Sequence, residues 1–224
     1  MSFYIEVKAF HDIGKRCQQK RGQLSFQTIL NLGCGNGQES EELANQLLCK
    51  IIGVDIEFNF IKISNKKVNF CQNNSENLSF KDESFDAVYC YHVLEHILNY
   101  HKALSEIKRI LKKGGVCYIG VPNKHRLLGS LGTDRVTFWD KIKNNIIDWK
   151  YRIKGEFENE KGAHAGFVEE FLRRELEKYF SQVYSVRKDY FRIKYNRHKW
   201  LINSIIKMKL GDVLFPSNYF LCIK

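Results

Sequence analysis

The chain has 224 residues, of which 44% are hydrophobic and 27% charged, an ordinary composition for a globular domain. It contains no run of 18 apolar residues and no apolar signal core at its N-terminus, which argues against a membrane span and against secretion. Its seven cysteines form no Cys-x-x-Cys pair, so we expect reduced thiols in a cytoplasmic protein. The net charge of +11 is uneven, because residues 187–224 contribute +7 and residues 31–123 contribute −1. This local excess indicates an anionic partner or surface.

Apolar strands alternate with helical segments along the chain, which predicts an α/β fold with a parallel sheet. After a helical N-terminal segment at 1–26, strands are expected near 27–33, 50–55, 67–71, 85–91 and 115–121. Helices are expected near 38–49, 57–65, 99–112 and 168–179. Residues 181–190 and 219–223 are predicted to form an antiparallel hairpin on the edge of the sheet.

Two insertions fall outside this alternation, at 124–165 and at 192–217. Parallel sheets bind ligands beyond the carboxyl ends of their strands, and the first insertion follows the fifth strand at that edge. We therefore expect residues 124–165 to cover the substrate. The whole chain is predicted to be one domain, with its core at 27–123 and a C-terminal helix and edge strands at 166–224.

Three alternating glycines, Gly33, Gly35 and Gly37, connect the first strand to a helix. Glycine allows the backbone to approach a ligand closely, and the helix that follows directs free N–H groups toward it. A second apolar strand ends at Asp55, where an acid can accept both hydroxyls of a ribose. The dinucleotide-binding pattern requires a glycine at position 38, which is Gln38, so a nicotinamide oxidoreductase is disfavoured.

The Gly-x-Gly-x-Gly spacing resembles that of class I S-adenosylmethionine (SAM)-dependent methyltransferases. The resemblance extends over about 27–123 and includes three further segments, Asn73–Leu78 with Ser84–Val88, Tyr91–His96, and Ile107–Gly115. Their order is similar to the branch acting on quinones, lipids, sugars and other small molecules. It implies a Rossmann-like, doubly wound, seven-stranded sheet, mostly parallel with an antiparallel last strand and helices on both faces.

The resemblance also implies that the chain binds SAM and releases S-adenosylhomocysteine (SAH). The glycines would surround the methionine part and ribose, Asp55 would bind the ribose hydroxyls, and Ile56 would lie against adenine. Asn74 and Ser75 would meet the adenine edge, although Asn31 and Asn74 stand where the family usually has acids. The cofactor-binding residues predicted in this way are Asn31, Gly33, Cys34, Gly35, Gly37, Asp55, Ile56, Asn74, Ser75, Tyr91, His92 and Val93. Strand-end packing is an equal alternative for Tyr91 and Val93, and Glu95 and His96 are expected to cap or pair locally.

Transfer of a methyl group to a hydroxyl requires a proton acceptor, and histidine suits this role near neutral pH. His164 resembles a residue of the branch that precedes the helix at 168–179, and His125 follows the fifth strand. These two are the predicted catalytic residues, with a histidine satisfied by backbone as the alternative for His164. His92 and His96 are four residues apart without a third ligand, so no metal site is expected.

Basic and apolar residues alternate in the second half of the chain. Helical spacing near 138–153 and 200–208 predicts basic amphipathic helices, which can lie on an anionic membrane or pack on the domain. Residues 187–200 alternate bases with aromatics, which fits either nucleobase stacking or a strand with a solvated basic face.

From these features we predict a cytoplasmic SAM-dependent methyltransferase, with peripheral contact to the inner face of a membrane as a hypothesis. The expected acceptor is an oxygen of a small-molecule or lipid- or glycan-linked compound, and an anionic acceptor would suit the charge. Two alternatives stay open. One is an RNA methyltransferase that uses 187–200, and the other is a non-catalytic subunit that binds a partner through 124–165 and 192–217.

Overall fold

A computed structural model describes residues 2–18, 26–57, 59–61, 63–127, 129, 137–154 and 166–224. Its sheet has seven strands: Thr28–Leu32 (β1), Lys50–Asp55 (β2), Val68–Gln72 (β3), Phe85–Tyr91 (β4), Leu111–Pro122 (β5), Gln182–Ser185 (β6) and Ser217–Ile223 (β7). Their order is β3-β2-β1-β4-β5-β7-β6. Strands β1 to β5 are parallel, and β7 runs antiparallel to both β5 and β6. The predicted sheet class is therefore confirmed, including its C-terminal hairpin.

Helices cover both faces of the sheet, as a doubly wound fold requires. Their bounds are Ser2–Gln18 (α1), Gln38–Leu47 (α2), Tyr100–Ile110 (α3), Phe138–Lys154 (α4), Glu169–Glu177 (α5), Arg187–Lys194 (α6), Lys199–Lys207 (α7) and Gly211–Leu214 (α8). Short 3-10 turns occupy Leu94–His96 and Asn196–His198. Buried side chains of α1, α2, α6 and α7 form one apolar core with the sheet, and those of α3 and α5 form the other.

The helix predicted at 57–65 is wrong for the residues of this segment that the structure describes, none of which is helical. The backbone N–H of Ile61 donates to the carbonyl of Asn36, and the hydroxyl of Ser64 donates to Glu41 on α2. Asn65 similarly donates to Asn45. Short polar side chains that bond elsewhere compete with helix formation, which explains the extended path of the segment across α2.

The strand predicted at 181–190 is also wrong beyond Ser185, because α6 begins at Arg187. Tyr190 and Phe191 are fully buried from this helix, where they stack on Tyr219 and Phe215 respectively. Lys188 and Arg192 on the same helix are exposed, whereas Arg187 is buried in an ion pair with Glu169. The alternation that resembled a strand therefore belongs to a helix with one buried face.

The helix predicted at 99–112 ends earlier, at Ile110, because Leu111 already pairs with Phe85 as the first residue of β5. Asn99 caps its N-terminus by accepting the N–H of Lys102, and the apolar face buries Ala103, Leu104, Ile107 and Ile110. The long β5 then carries the chain to the carboxyl edge of the sheet. Because β1, β2, β4, β5 and β6 all end at this edge, the loops that follow them are neighbours.

Candidate functional site

The glycine loop after β1 is held by backbone bonds to the end of β2. The N–H groups of Gly33 and Cys34 both donate to the carbonyl of Val54, at 2.7 and 3.0 Å. Gly33, Gly35 and Gly37 have φ values of 68°, 52° and 93°, a region that only glycine adopts at low cost. A Cβ on Gly33 would lie 2.2 Å from Val93, and one on Gly37 would lie 2.4 Å from the ring of Phe70. The loop is therefore fixed in shape by its neighbours.

Asp55 joins the end of β2 to this loop. Its Oδ2 accepts the N–H of Gly35 at 2.8 Å, and its Oδ1 accepts the N–H of Glu57 at 3.2 Å. A carboxylate has about four lone-pair positions, so two backbone bonds leave acceptor capacity for a ligand. The side chain is thus oriented in advance at the edge where a ribose would be bound.

A cavity of about 510 Å³ opens at this edge between the ends of β1, β2 and β4. Seven of the predicted cofactor-binding residues line it, namely Gly33, Asp55, Ile56, Asn74, Ser75, His92 and Val93. Its mouth carries two highly exposed apolar side chains, Ile56 at 65% and Leu98 at 95%. The cavity therefore combines a hydroxyl-binding acid with uncovered apolar surface suited to a flat ring.

The other five predicted residues do not line the cavity. Gly35 and Gly37 shape the loop behind it, and Cys34 is buried beneath them. Burial raises the pKa of the Cys34 thiol to about 12, so the thiol stays protonated and unreactive at neutral pH. Asn31 is fully buried, donates to the hydroxyl of Ser40 at 3.0 Å, and leaves its Oδ1 unpartnered among the described residues. Tyr91 packs into the aromatic core beside Tyr219, in agreement with the packing alternative.

Asn74 lies at the cavity wall in a turn that uses its own side chain. Its Oδ1 accepts the N–H of Glu76 at 2.9 Å, and its backbone carbonyl accepts the N–H of Asn77. The predicted bond from an adenine amino group would have to share this oxygen with Glu76, which the two lone pairs of an amide oxygen permit. Ser75 lines the same wall.

His92 lines the cavity with an unusual backbone conformation and a paired ring. Its φ of 55° is unusual for a residue with a Cβ, and its N–H donates to the carbonyl of Gly120 on β5. The ring Nδ1 lies 3.0 Å from Oε1 of Glu95, whose side chain is 2% exposed. The expected local pairing of Glu95 is thus present, and it orients a histidine toward the cavity.

The two predicted catalytic histidines have other positions. His164 lies outside the described residues. His125 lines a second cavity of about 530 Å³, together with residues of α5, β6 and α6, and no residue lines both cavities. Among the described residues, the structure therefore brings His92, and not His125, to the glycine loop.

Some cavity residues were not predicted from the sequence. Asn73, Glu76, His96, Ile97 and Leu98 also line the cavity. They follow β3 and β4 directly, so their position after strands that end at the ligand edge was the available signal. The spacing of His92 and Glu95, three residues apart after β4, was a similar signal for an oriented histidine. No group of three or more His, Cys, Asp or Glu placed to hold a metal occurs in the part of the chain described above.

Comparison with known proteins relates this geometry to a family. A family model described as a methyltransferase domain matches residues 30–119, which include the glycine loop, Asp55 and His92. This match confirms the resemblance of the glycine motif to methyltransferases. The chain is 42% identical over 131 residues to an uncharacterized protein of Methanocaldococcus jannaschii, covering 57% of this chain and 54% of that protein. It is 34% identical over 112 residues to an O-methyltransferase of Aspergillus nomiae, covering 46% and 48%.

The chain also has solved structural neighbours. Phosphoethanolamine N-methyltransferase 2 of Haemonchus contortus, solved in complex with SAM, has a TM-score of 0.55 and 19% identity, covering 93% of this chain and 51% of that one. At this identity the likeness establishes the fold alone. The chain spans about half the length of the curated relatives it matches.

Proposed function

We propose that the methyltransferase domain binds SAM in the 510 Å³ cavity and transfers its methyl group to an oxygen of a small-molecule or lipid- or glycan-linked acceptor. The observation that carries this proposal is the Asp55 carboxylate, which is bonded to the N–H of Gly35 and faces the same cavity as Gly33. This arrangement joins a hydroxyl-binding acid to a fixed, close-approach loop. An oxygen acceptor is favoured by the likeness to the Aspergillus O-methyltransferase.

The residues of the cavity fit the parts of SAM. Asp55 would bind the ribose hydroxyls, Ile56 and Leu98 would contact adenine, and Asn74 would accept the adenine amino group. Gly33 and Val93 would lie against the methionine part. When bound, SAM supplies a methyl group on a positively charged sulfur, and the protein mainly positions the acceptor and excludes water.

A hydroxyl acceptor must also lose its proton, and two histidines, His92 and His96, line the cavity. We assign this role to His92, because the carboxylate of Glu95 lies beside its ring. An ionised Glu95 can only accept a hydrogen bond, which places the proton of a neutral His92 on Nδ1 and leaves Nε2 as the base. Glu95 is a positioning residue in this scheme, since its buried carboxylate fixes the ring and stabilises the imidazolium formed after proton transfer. His125 and His164 remain proposals for contacts with the acceptor at the substrate side.

The proposal is tested in two steps. Calorimetric titration with SAH is expected to give micromolar binding, with no heat from NAD. Labelled SAM is then incubated with the protein and with aqueous and lipid fractions of a cell extract, and labelled product is identified by mass spectrometry. Absence of SAH binding contradicts the cofactor assignment, whereas binding without a labelled product in any fraction favours the non-catalytic alternative.

The RNA alternative loses its main support. Tyr190 and Phe191, two aromatics of the basic stretch at 187–200, are buried in the core and cannot stack on bases.

We also propose that the chain contacts an anionic membrane peripherally, with the acceptor drawn from that surface. None of the described helices is long and apolar enough to cross a bilayer.

A further inference from the structure

All three tryptophans of the chain lie exposed on two helices, α4 and α7. Trp139, Trp149 and Trp200 are 75%, 41% and 70% exposed. Tryptophan is amphipathic and is costly to leave in water, and it is enriched where proteins meet the interface of a bilayer. Three exposed tryptophans on these two helices therefore favour contact of the helices with a partner.

The apolar residues of α4 whose side chains the structure describes are largely exposed. Trp139, Ile142, Ile146 and Trp149 share one face at helical spacing, and all four are exposed. Neither apolar core includes a described side chain of α4. Polar contacts hold the helix instead, including an ion pair of Arg126 with Asp148 at 2.7 Å.

Helix α7 has apolar residues on two faces. Ile202 is buried in the core, and Ile205 and Ile206 pack beside it. Trp200 and Met208 are on the outward side, and both are more than half exposed. Packing on the domain thus explains one face of α7 and leaves the other uncovered.

Leu127 connects α4 to α8, the short helix that follows α7 in the chain. The indole N–H of Trp149 donates to the carbonyl of Leu127 at 3.0 Å, and the N–H of Leu127 donates to the carbonyl of Val213 on α8 at 2.8 Å. Leu127 and Leu210, which precedes α8, are themselves exposed. We give the name tryptophan surface to these exposed apolar residues, namely Leu127, Trp139, Ile142, Ile146, Trp149, Trp200, Met208 and Leu210.

Lysines accompany the tryptophan surface. Lys143 and Lys150 on α4, and Lys199 and Lys207 on α7, are exposed. None of the four makes an ion pair with another residue in the described ranges, so their charges are uncompensated. Exposed tryptophans beside unpaired lysines match the two attractions of a bilayer with anionic headgroups, apolar burial and charge.

We propose that the tryptophan surface docks the protein on an anionic lipid bilayer. An anionic bilayer interface takes up both residue types at once, since tryptophan suits the headgroup level and lysine the anionic headgroups, whereas stacking on RNA would require aromatic faces within a basic groove. The surface begins only a few residues after β5, at the edge of the sheet that carries the cavity. Docking there would bring the ligand edge of the sheet toward the headgroups. This position would give the cavity access to a lipid-linked acceptor, a consequence that rests on the proposed function.

The test uses the full chain without cofactor, so its outcome is independent of methyl transfer. Large vesicles of phosphatidylcholine, with or without one-third phosphatidylglycerol, are titrated while tryptophan emission is recorded, and bound protein is measured by co-sedimentation. Because every tryptophan belongs to the surface, docking is expected to shift the emission to the blue with anionic vesicles only. Binding is expected to weaken as salt rises.

Two pairs of variants locate the contact. Trp139→Ser with Trp200→Ser, and Lys143→Glu with Lys207→Glu, are each expected to lower vesicle binding by about tenfold or more. Leu48→Ser is the apolar control, because Leu48 follows the C-terminal end of α2 and its 72% exposure is similar to that of Trp139 and Trp200. Lys66→Glu with Lys108→Glu makes the same charge change on other exposed positions. Both control variants are expected to bind vesicles like the wild type.

Three results would overturn the proposal. These are no binding to anionic vesicles, binding without a change in tryptophan emission, and equal losses in the surface and control variants. Titration with single-stranded poly(U) is the companion measurement, and tight binding of the RNA in place of vesicles would assign the surface to nucleic acid. Thermal melting of each variant separates lost docking from lost folding.

Discussion

Substitution of Asp55 by Asn tests the cofactor site with the smallest change in shape. In the wild type, Oδ2 accepts the N–H of Gly35 at 2.8 Å and Oδ1 accepts the N–H of Glu57 at 3.2 Å. An Asn can keep one of these bonds through its single carbonyl oxygen, so the loop is expected to keep its path. What the variant loses is the charge that strengthens hydrogen bonds from ribose hydroxyls.

The size of the effect follows from these bonds. A hydrogen bond to a charged group contributes about 1.5–3 kcal/mol, compared with about 0.5–1.5 kcal/mol for a neutral pair. With two ribose hydroxyls on one carboxylate, the variant should lose about 1–3 kcal/mol of binding free energy. Because about 1.4 kcal/mol corresponds to a factor of ten, the Kd for SAH should rise about 5- to 150-fold.

Calorimetric titration with SAH measures this change directly. Glu57→Gln is the matched control, because it removes the same charge two residues away, outside the cavity lining. The control should bind SAH like the wild type, and both variants should melt within a few degrees of it. An Asp55→Asn protein that binds SAH with wild-type affinity would refute the assignment of Asp55 to the ribose.

Three further predictions concern the same region. Gly33→Ala should lower the free energy of unfolding by about 1–3 kcal/mol more than Gly35→Ala in denaturant titrations, because a Cβ at position 33 meets Val93 and one at position 35 does not. The double variant Gly33→Ala with Val93→Ala should recover part of that loss. Equal losses in the two single variants would contradict the reasoning. His92→Gln should lower kcat by about 10²- to 10⁴-fold on a hydroxyl acceptor, with a much smaller change in the Kd for SAH. Glu95→Gln should lower kcat less and displace the pH dependence of kcat. A His92→Gln enzyme with normal kcat would exclude His92 as the base. Burial raises the pKa of Glu39 to about 8, so the folded chain keeps a proton that the unfolded chain loses near 4.5, and stability should fall as pH rises between these values. Glu39→Gln, which can still accept the Tyr89 hydroxyl, should flatten this fall in melts from pH 5 to 8, whereas Glu57→Gln should leave it unchanged.

The sheet could be predicted because its strands carry strong local signals. Strands β1, β2 and β4 are buried on both faces, so they appear in the sequence as short, nearly continuous apolar runs. The glycine loop and Asp55 follow from the requirements of a close backbone approach, which only a few residue types satisfy. Those positions could be predicted from the residues themselves.

The segments that could not be predicted depend on tertiary contacts. Residues 57–65 lie between two strands, where the alternation of elements predicts a helix, but Ser64 and Asn65 bond to side chains of α2 that lie about twenty residues away in the chain. Polar and apolar residues alternate over part of Arg187–Lys194, as in a strand. Tyr190 and Phe191 nevertheless belong to the core of a helix, because their rings stack on Tyr219 and Phe215, which lie far away in the chain. A single sequence contains both members of each pair without indicating that they meet.

The division of charge gains a physical reason when the cavity and the tryptophan surface are considered together. Residues 31–123, which include Asp55 and the glycine loop, have a net charge of −1, whereas residues 187–224 have a net charge of +7. Binding of a cationic sulfonium would be weakened by a strongly basic site, because like charges within a low-dielectric pocket repel. Attraction to an anionic surface requires the opposite, and it acts over about 8–10 Å at physiological salt. The exposed lysines of α4 and α7 lie outside the cavity lining, an arrangement that is compatible both with a cation in the cavity and with the proposed attraction to an anionic bilayer.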